Sequence, residues 1–150
     1  MEVPPEERFG RVVPALFENI GRIVKAVDGK FGVEGRNLLR RVMGERGAEM
    51  GGMMKPLSPG EDFKSVGRFF AGAVKMFGVE NEVAVKEDAV VINVPKCPYG
   101  LEGTSRELCE AMMTFDVRAV ETMGPNVTLE IVKTVAVGDP QCELSIKSKK

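Results

Sequence analysis

The sequence predicts an α+β fold in which three N-terminal helices precede a ββαββ unit. Apolar residues recur at helical spacing through the first half of the chain, whereas from about residue 82 they alternate with polar residues. One further helical pattern interrupts the alternating part. The economical assembly is an antiparallel sheet of about four strands with helices on one face. We expect residues 1–150 to form a single domain, with the ββαββ part at about 82–147.

The first two predicted helices cover residues 14–27 and 35–54. Pro14 suits a first helical turn, and Asp28-Gly29 is a stop signal. The second helix is rich in glycine, and each glycine costs about 1 kcal/mol relative to alanine. Glycines that carry such a cost indicate close approach of another helix. The alternatives are a groove that faces a ligand and a helix break near Gly51-Gly52. The glycines concerned, with an intervening alanine, are Gly44, Gly47, Ala48, Gly51 and Gly52.

The third helix has the strongest boundary signals. Ser58-Pro59-Gly60-Glu61 has the pattern of a capping box, with serine at the N-cap and glutamate three residues later. Gly78 suits the C-terminal cap. The apolar face of this helix consists of Phe63, Val66, Phe70, Ala73, Val74 and Phe77.

The remainder reads as two strand pairs around a fourth helix. Residues 83–85 and 90–94 alternate as a β-hairpin, and a helix over 106–123 follows, capped by Thr104 or Ser105. A long strand is predicted over 127–137. After the turn Gly138-Asp139-Pro140-Gln141, a last strand begins at Cys142.

The amino-acid composition restricts the classes of partner that the protein is expected to bind. The formal net charge is −1, so no basic field attracts nucleic acid, and no apolar run reaches the roughly 20 residues that span a bilayer. The N-terminus is acidic and lacks the apolar core of a signal peptide. We therefore expect a cytoplasmic protein with no nucleic-acid or membrane partner.

Three cysteines and the lack of any histidine restrict the chemistry. Without histidine the chain has no Ser-His-Asp or Cys-His site and lacks the commonest neutral-pH base and metal ligand. An odd number of thiols in a cytoplasmic chain argues against a disulfide framework. Any site must therefore use thiol, carboxylate, Lys, Tyr99 or backbone groups.

Four residues stand out as candidates. Cys97 lies in a loop before a helix, where a thiol can become more nucleophilic. Cys109, Met113 and Asp116 share one stripe of that helix, and a buried carboxylate needs a partner. Cys142 starts the last strand. Each thiol has the alternative of packing as a small apolar group, and Asp116 has that of lying at the helix edge in water.

The same residues permit a metal hypothesis. Thiolates of Cys97, Cys109 and Cys142 with the Asp116 carboxylate could supply four ligands for zinc, or hold an iron–sulfur cluster. The spacing is not that of a C-x-x-C knuckle, so the pattern is a weak metal signal.

The C-terminal third resembles a known family. Lys96-Cys97-Pro98-Tyr99, Glu107-Leu108-Cys109-Glu110, Asp116 and the run from Lys133 to Leu144, with Gly138-Asp139-Pro140-Gln141-Cys142, are similar to the L-2-amino-thiazoline-4-carboxylic acid hydrolase-like family. More distantly the chain resembles 4-vinyl reductase-like small-molecule-binding domains. The likeness covers roughly residues 95–147.

The resemblance implies a pocket between helices and sheet, and a homodimer. It marks Cys97, Cys109, Asp116 and Cys142, and with Tyr99 and Met113 these are the expected ligand-binding residues. The leading hypothesis is a small-molecule-binding sensor or carrier domain. The alternative is a cysteine-dependent hydrolase of a small heterocyclic or amide C–N or C–S bond, with Cys97 as nucleophile. Asp116 or Glu110 would then be the base, and Ser105 would contribute a hydroxyl.

Overall fold

The structure, a computed structural model, describes residues 2–149 and has an α+β architecture. A four-stranded antiparallel sheet packs against helices, and both features confirm the predicted fold class. Within residues 2–149 no helix combines the length and apolarity that a membrane crossing demands. The elements in chain order are α1 (Pro5–Met54), α2 (Phe63–Met76), β1 (Glu82–Val85), β2 (Val90–Val94), α3 (Arg106–Met123), β3 (Val127–Lys133) and β4 (Cys142–Ser148).

The first two predicted helices form one long kinked element, so the prediction of three N-terminal helices is wrong. Helix α1 begins at Pro5, includes Pro14, and is interrupted at Gly32, whose φ of 55° and ψ of −127° are non-helical. Only glycine adopts such angles readily. The expected stop at Asp28-Gly29 fails because Asp28 instead pairs with Arg36 across the kink, at 2.6 Å.

Helix α2 starts later than the predicted capping box. Its N-cap is Asp62, whose carboxylate accepts hydrogen bonds from the backbone N–H groups of Lys64 and Ser65, at 3.1 and 3.0 Å. The Ser58 hydroxyl donates instead to the Gly60 carbonyl. Aspartate supplies the same cap interaction as serine, so the four-residue displacement leaves the apolar face of the helix unchanged.

The C-terminal part differs from expectation in one strand. Helix α3 has the predicted bounds and is capped by Ser105. Strand β3 ends at Lys133 rather than Val137, because residues 135–137 turn into a short 3-10 helix. The Thr134 hydroxyl caps that turn by accepting from the Ala136 N–H at 3.1 Å. Val135 and Ala136 are consequently buried inside the domain rather than aligned along a strand.

The sheet has the order β1-β2-β4-β3 and buries one face against α2 and α3. Ile92 lies opposite Leu144, and Leu144 lies opposite Ile131, so one row of apolar side chains crosses three strands. Burial of a side chain such as Ile92 contributes about 1.5–3 kcal/mol. The other face carries polar residues such as Asn93 and Glu130. This arrangement makes the buried face of the sheet the floor of the core.

Helix α1 packs on α3 through its glycines. A Cβ added at Gly47 would lie 2.2 Å from the Phe115 carbonyl oxygen, and one added at Gly51 would lie 2.5 Å from that of Ala119. The two backbones therefore touch, which supports the helix-packing explanation of the glycine-rich segment. Gly52, by contrast, has nothing within 4 Å of an added Cβ.

We predict opposite effects of alanine at two glycines of the same helix. Gly47→Ala should lower the free energy of unfolding by about 2 kcal/mol, because its Cβ forces α1 and α3 apart. Gly52→Ala is the matched control and should raise it by about 0.5–1 kcal/mol, since open space lets it gain helix propensity. Urea denaturation of both variants measures the difference. Equal effects at the two positions would contradict the packing described for Gly47.

Candidate functional site

A partly open, mostly apolar cavity of about 120 Å³ lies between the sheet, α2, α3 and the loop that precedes α3. All six residues predicted to bind a ligand line it, namely Cys97, Tyr99, Cys109, Met113, Asp116 and Cys142. The structure thus brings together residues from a loop, a helix and a strand. Their role in binding stays a prediction. The apolar lining includes Phe17, Phe70, Val74, Ile92, Val94, Met112, Ile131, Ala136 and Leu144.

Helix α3 presents three of the six. Cys109, Met113 and Asp116 follow one another at spacings of four and three residues, which places them on one face. Two interactions fix the position of this helix. Its N-terminus is capped by Ser105, and the Arg106 guanidinium donates to the Ile131 carbonyl at 2.5 Å, which ties the helix to the sheet.

The loop before α3 carries Cys97 and Tyr99 and is held by α1. A Cβ at Gly21 would lie 1.8 Å from the Tyr99 carbonyl oxygen, so only glycine permits this contact. One turn to either side, the Phe17 ring packs edge-on against the Tyr99 ring at 5.2 Å, and Lys25 Nζ donates to the Gly100 carbonyl at 2.8 Å. A single stripe of α1 therefore sets the position of the loop.

Thr134 is a site residue that sequence reasoning missed. Its buried hydroxyl donates to the Cys109 sulfur, with a 3.2 Å separation of oxygen and sulfur, and its backbone N–H donates to Asp139 at 2.9 Å. The predicted long strand gave Thr134 no special place. The signal that could have revealed it is the pairing of Thr134 with the aspartate five residues later, which closes a turn.

Asp116 has an unusual environment. It is partly buried and lines the cavity. Within the described residues no side chain hydrogen-bonds to its carboxylate; its own backbone N–H lies close, and the Tyr99 hydroxyl is near enough to feel its charge. Burial away from water raises the pKa of Asp116 to about 7. The carboxylate therefore has no hydrogen-bonding side chain within residues 2–149, and its role in binding stays a prediction.

Cys97 and Cys109 lack the lowered pKa of an activated nucleophile. Burial raises the pKa of both Cys97 and Cys109, which favours the less reactive thiol over the thiolate. Cys97 also lies well before the start of α3, and the Ser105 hydroxyl serves as the cap. Glu110 pairs with Arg106 and is not among the cavity-lining residues. The hydrolase hypothesis gains nothing from this geometry and stays a prediction.

The metal hypothesis also stays a prediction. Across residues 2–149, no three cysteine or acidic side chains are grouped as metal ligands would be. The three thiols are free, and Cys109 is engaged by Thr134. The zinc or iron–sulfur alternative therefore has no support here beyond the residue types.

An open groove of about 570 Å³ leads to the cavity. Phe17, Val79, Cys97, Pro98 and Tyr99 line both spaces, so the groove and the cavity meet at these side chains. The outer rim carries charges of both signs, from Glu18, Arg22, Lys25, Glu80 and Lys96. A small molecule could approach through this groove and pass the aromatic pair.

The unpaired carboxylate should make stability depend on pH. Because the pKa of Asp116 is about 7 in the folded protein and 3.8 ordinarily, the folded state binds the proton more tightly, and stability falls as pH rises between these values. Asp116→Asn removes this penalty. We expect its stabilisation relative to wild type to be about 2–3 kcal/mol larger at pH 8 than at pH 5. Urea denaturation at both pH values measures it.

The control is Asp88→Asn, at an exposed turn position. Its effect should be the same at both pH values. If Asp116→Asn also shifted stability equally at pH 5 and pH 8, the description of Asp116 as a buried, unpaired carboxylate would be wrong.

Solved structures show that the fold recurs in ligand-binding proteins. The phenol-responsive sensory domain of the transcription activator PoxR, solved with phenol, aligns at a TM-score of 0.59 and 13% identity over 88% of this chain and 74% of that one. A trafficking protein particle complex subunit 3 from Naegleria fowleri, covalently bound to palmitic acid, aligns at a TM-score of 0.64 and 18% identity. That alignment covers 92% of this chain and 95% of the other. These identities establish a shared fold.

Sequence comparison gives the family. No curated protein sequence matches the chain. The model of the L-2-amino-thiazoline-4-carboxylic acid hydrolase family matches residues 13–146, a range that includes all six cavity residues predicted from sequence and most of α1. The resemblance noted in the C-terminal third thus extends over nearly the whole chain, and the protein belongs to the L-2-amino-thiazoline-4-carboxylic acid hydrolase family.

Proposed function

We propose that the protein is a small-molecule-binding domain that acts as a sensor or carrier. The observation that carries this proposal is the cavity beneath the groove, in which apolar walls surround a few polar groups. Ligand sites in proteins have this composition: hydrophobic lining with a small number of placed polar side chains. Here the polar groups are the three thiols, the Tyr99 hydroxyl, the Thr134 hydroxyl and the Asp116 carboxylate.

The size of the cavity favours a compact ligand. An apolar cavity of about 150 Å³ takes up one benzene molecule, and the cavity here is about 120 Å³. Of the ligands in the two similar structures, phenol is ring-sized, whereas palmitic acid is several times larger. The ligand proposed for this chain is therefore a single-ring molecule rather than a long acyl chain.

The proposed location is the cytoplasm. Cys97, Cys109 and Cys142 are all free, and Cys109 is buried. Free thiols are typical of compartments that keep cysteines reduced. The cysteine-lined cavity would then present thiols, rather than a disulfide, to its ligand.

We expect ring-sized probes to bind in this cavity. Toluene and phenol should shift the NMR signals of Met112 and Met113 and should stabilise the fold by mass action. Ala136→Leu fills the cavity from one wall, since Ala136 is buried and lines it, and should abolish both effects. Ala84→Leu, at an exposed strand position, is the matched control and should leave binding intact. Binding that persists in Ala136→Leu would place the ligand elsewhere, and the proposal would fail.

A homodimer formed through α1 is the second part of the proposal. Between residues 4 and 20, only Val13 and Phe17 are even partly buried, so this stretch lacks support from the rest of the domain. Helices of this length are marginal alone in water. An exposed apolar stripe about 21 Å long runs down it, formed by Phe9, Val12, Leu16, Ile20 and Ile23.

A second copy of the chain fits this stripe. Two identical stripes can pair about a two-fold axis, each covering the other. The apolar stripe would form the centre of that interface.

The dimer prediction has a direct measurement. Light scattering after size exclusion should give twice the monomer mass for the wild-type protein. Ile20→Glu should give a monomer, because a charge in the centre of the stripe would be buried unpaired. Val137→Glu changes a β-branched apolar side chain, 54% exposed, outside α1, and should remain a dimer. A wild-type monomer at micromolar concentration would refute this part of the proposal.

A further inference from the structure

Asp116 is the only ionisable group of either sign, apart from thiols and Tyr99, among the residues that line the cavity. No lysine or arginine faces it, and within residues 2–149 no side chain donates a hydrogen bond to it. Leaving a carboxylate in an apolar space without a partner is expensive. An unpaired carboxylate in such a space is therefore a strong binding position for a positively charged ligand.

We propose that the cavity selects compact, largely apolar molecules that carry one basic nitrogen, which Asp116 binds as a cation. This inference rests on the proposed function, since it names the chemical class of the ligand at the same site. A protonated amine or amidine both donates hydrogen bonds and carries a positive charge. It therefore offsets the cost of the buried carboxylate more fully than a neutral donor can.

The surroundings of Asp116 agree with this ligand. The aromatic rings of Phe17 and Tyr99 line the same space, and the faces of such rings attract cations. The rest of the lining is aliphatic, aromatic or thiol, which suits a ring but offers no second counter-charge. Burial also raises the pKa of Tyr99, so its hydroxyl stays neutral and does not compete with Asp116 for the cation.

The approach route does not exclude cations. In the groove, Arg22 is paired with Glu18 at 2.9 Å, and Lys25 is held by the Gly100 carbonyl. Glu80 lies on the same rim and balances Lys96 in formal charge. The rim therefore carries three cations and two anions, and its net charge of +1 is exposed to solvent and screened by salt, so a small cation can still reach the aromatic pair.

Three probes of similar size distinguish a preference for charge from a preference for shape. Toluene, benzyl alcohol and benzylamine share the ring and differ in having no donor, a neutral donor and a cationic donor. Titrations into the wild-type protein at pH 8, where Asp116 is mostly ionised, should show benzylamine binding at least about tenfold more tightly than benzyl alcohol. Asp116→Asn should remove that preference and leave toluene within about threefold of its wild-type affinity.

The matched control is Asp88→Asn, which should keep the full preference for benzylamine. If benzyl alcohol or toluene bound the wild-type protein as tightly as benzylamine, the cation inference would be overturned while the proposed function would stand. A benzylamine preference that survived Asp116→Asn would overturn it too, since the cation would then bind elsewhere. If no probe bound the wild-type protein, both the inference and the proposed function would fail. The wild-type comparison needs no variant to fold.

Discussion

The contact between the backbones of α1 and α3 is the constraint on which the cavity depends. Gly47 and Gly51 let α1 approach until it touches the carbonyl groups of Phe115 and Ala119. These two residues flank Asp116 on the same helix, so the contact fixes the part of α3 that carries the carboxylate. A side chain at either glycine would move α3 and change the cavity wall opposite the sheet.

The same long helix controls the other side of the site. Beyond the kink at Gly32, its N-terminal half reaches the loop that carries Cys97 and Tyr99, and Gly21 permits contact with that loop. One element thus positions both α3 and the loop. The Arg36–Asp28 ion pair bridges the kink and is mostly buried, so the angle between the two halves affects how the loop sits over the cavity.

Sequence patterns predicted the parts whose signals are local. The alternation in β2 and the apolar stripe of α3 come from neighbouring residues, and both elements were predicted within a residue or so. Asp28-Gly29 and the Ser58 box were misleading because other interactions formed instead: Asp28 pairs with Arg36 across the kink, and Asp62 caps α2 through local hydrogen bonds. The prediction that the six ligand-binding residues share one site came from the family resemblance and not from local sequence patterns. No local pattern brings Cys97, Cys109 and Cys142 together.

The chemistry of the cavity follows from side chains rather than from the fold. Proteins of this fold accommodate ligands as different as phenol and palmitic acid, so the shared architecture does not select the ligand. In this chain the ligand proposed above follows from the apolar walls, which would limit its size, and from one unpaired carboxylate, which would set its charge. Keeping Asp116 unpaired lowers stability at neutral pH, because its charge is better solvated in the unfolded chain. An apolar residue at that position would pack the core better. The cost is therefore understandable if the carboxylate serves a ligand and not the fold.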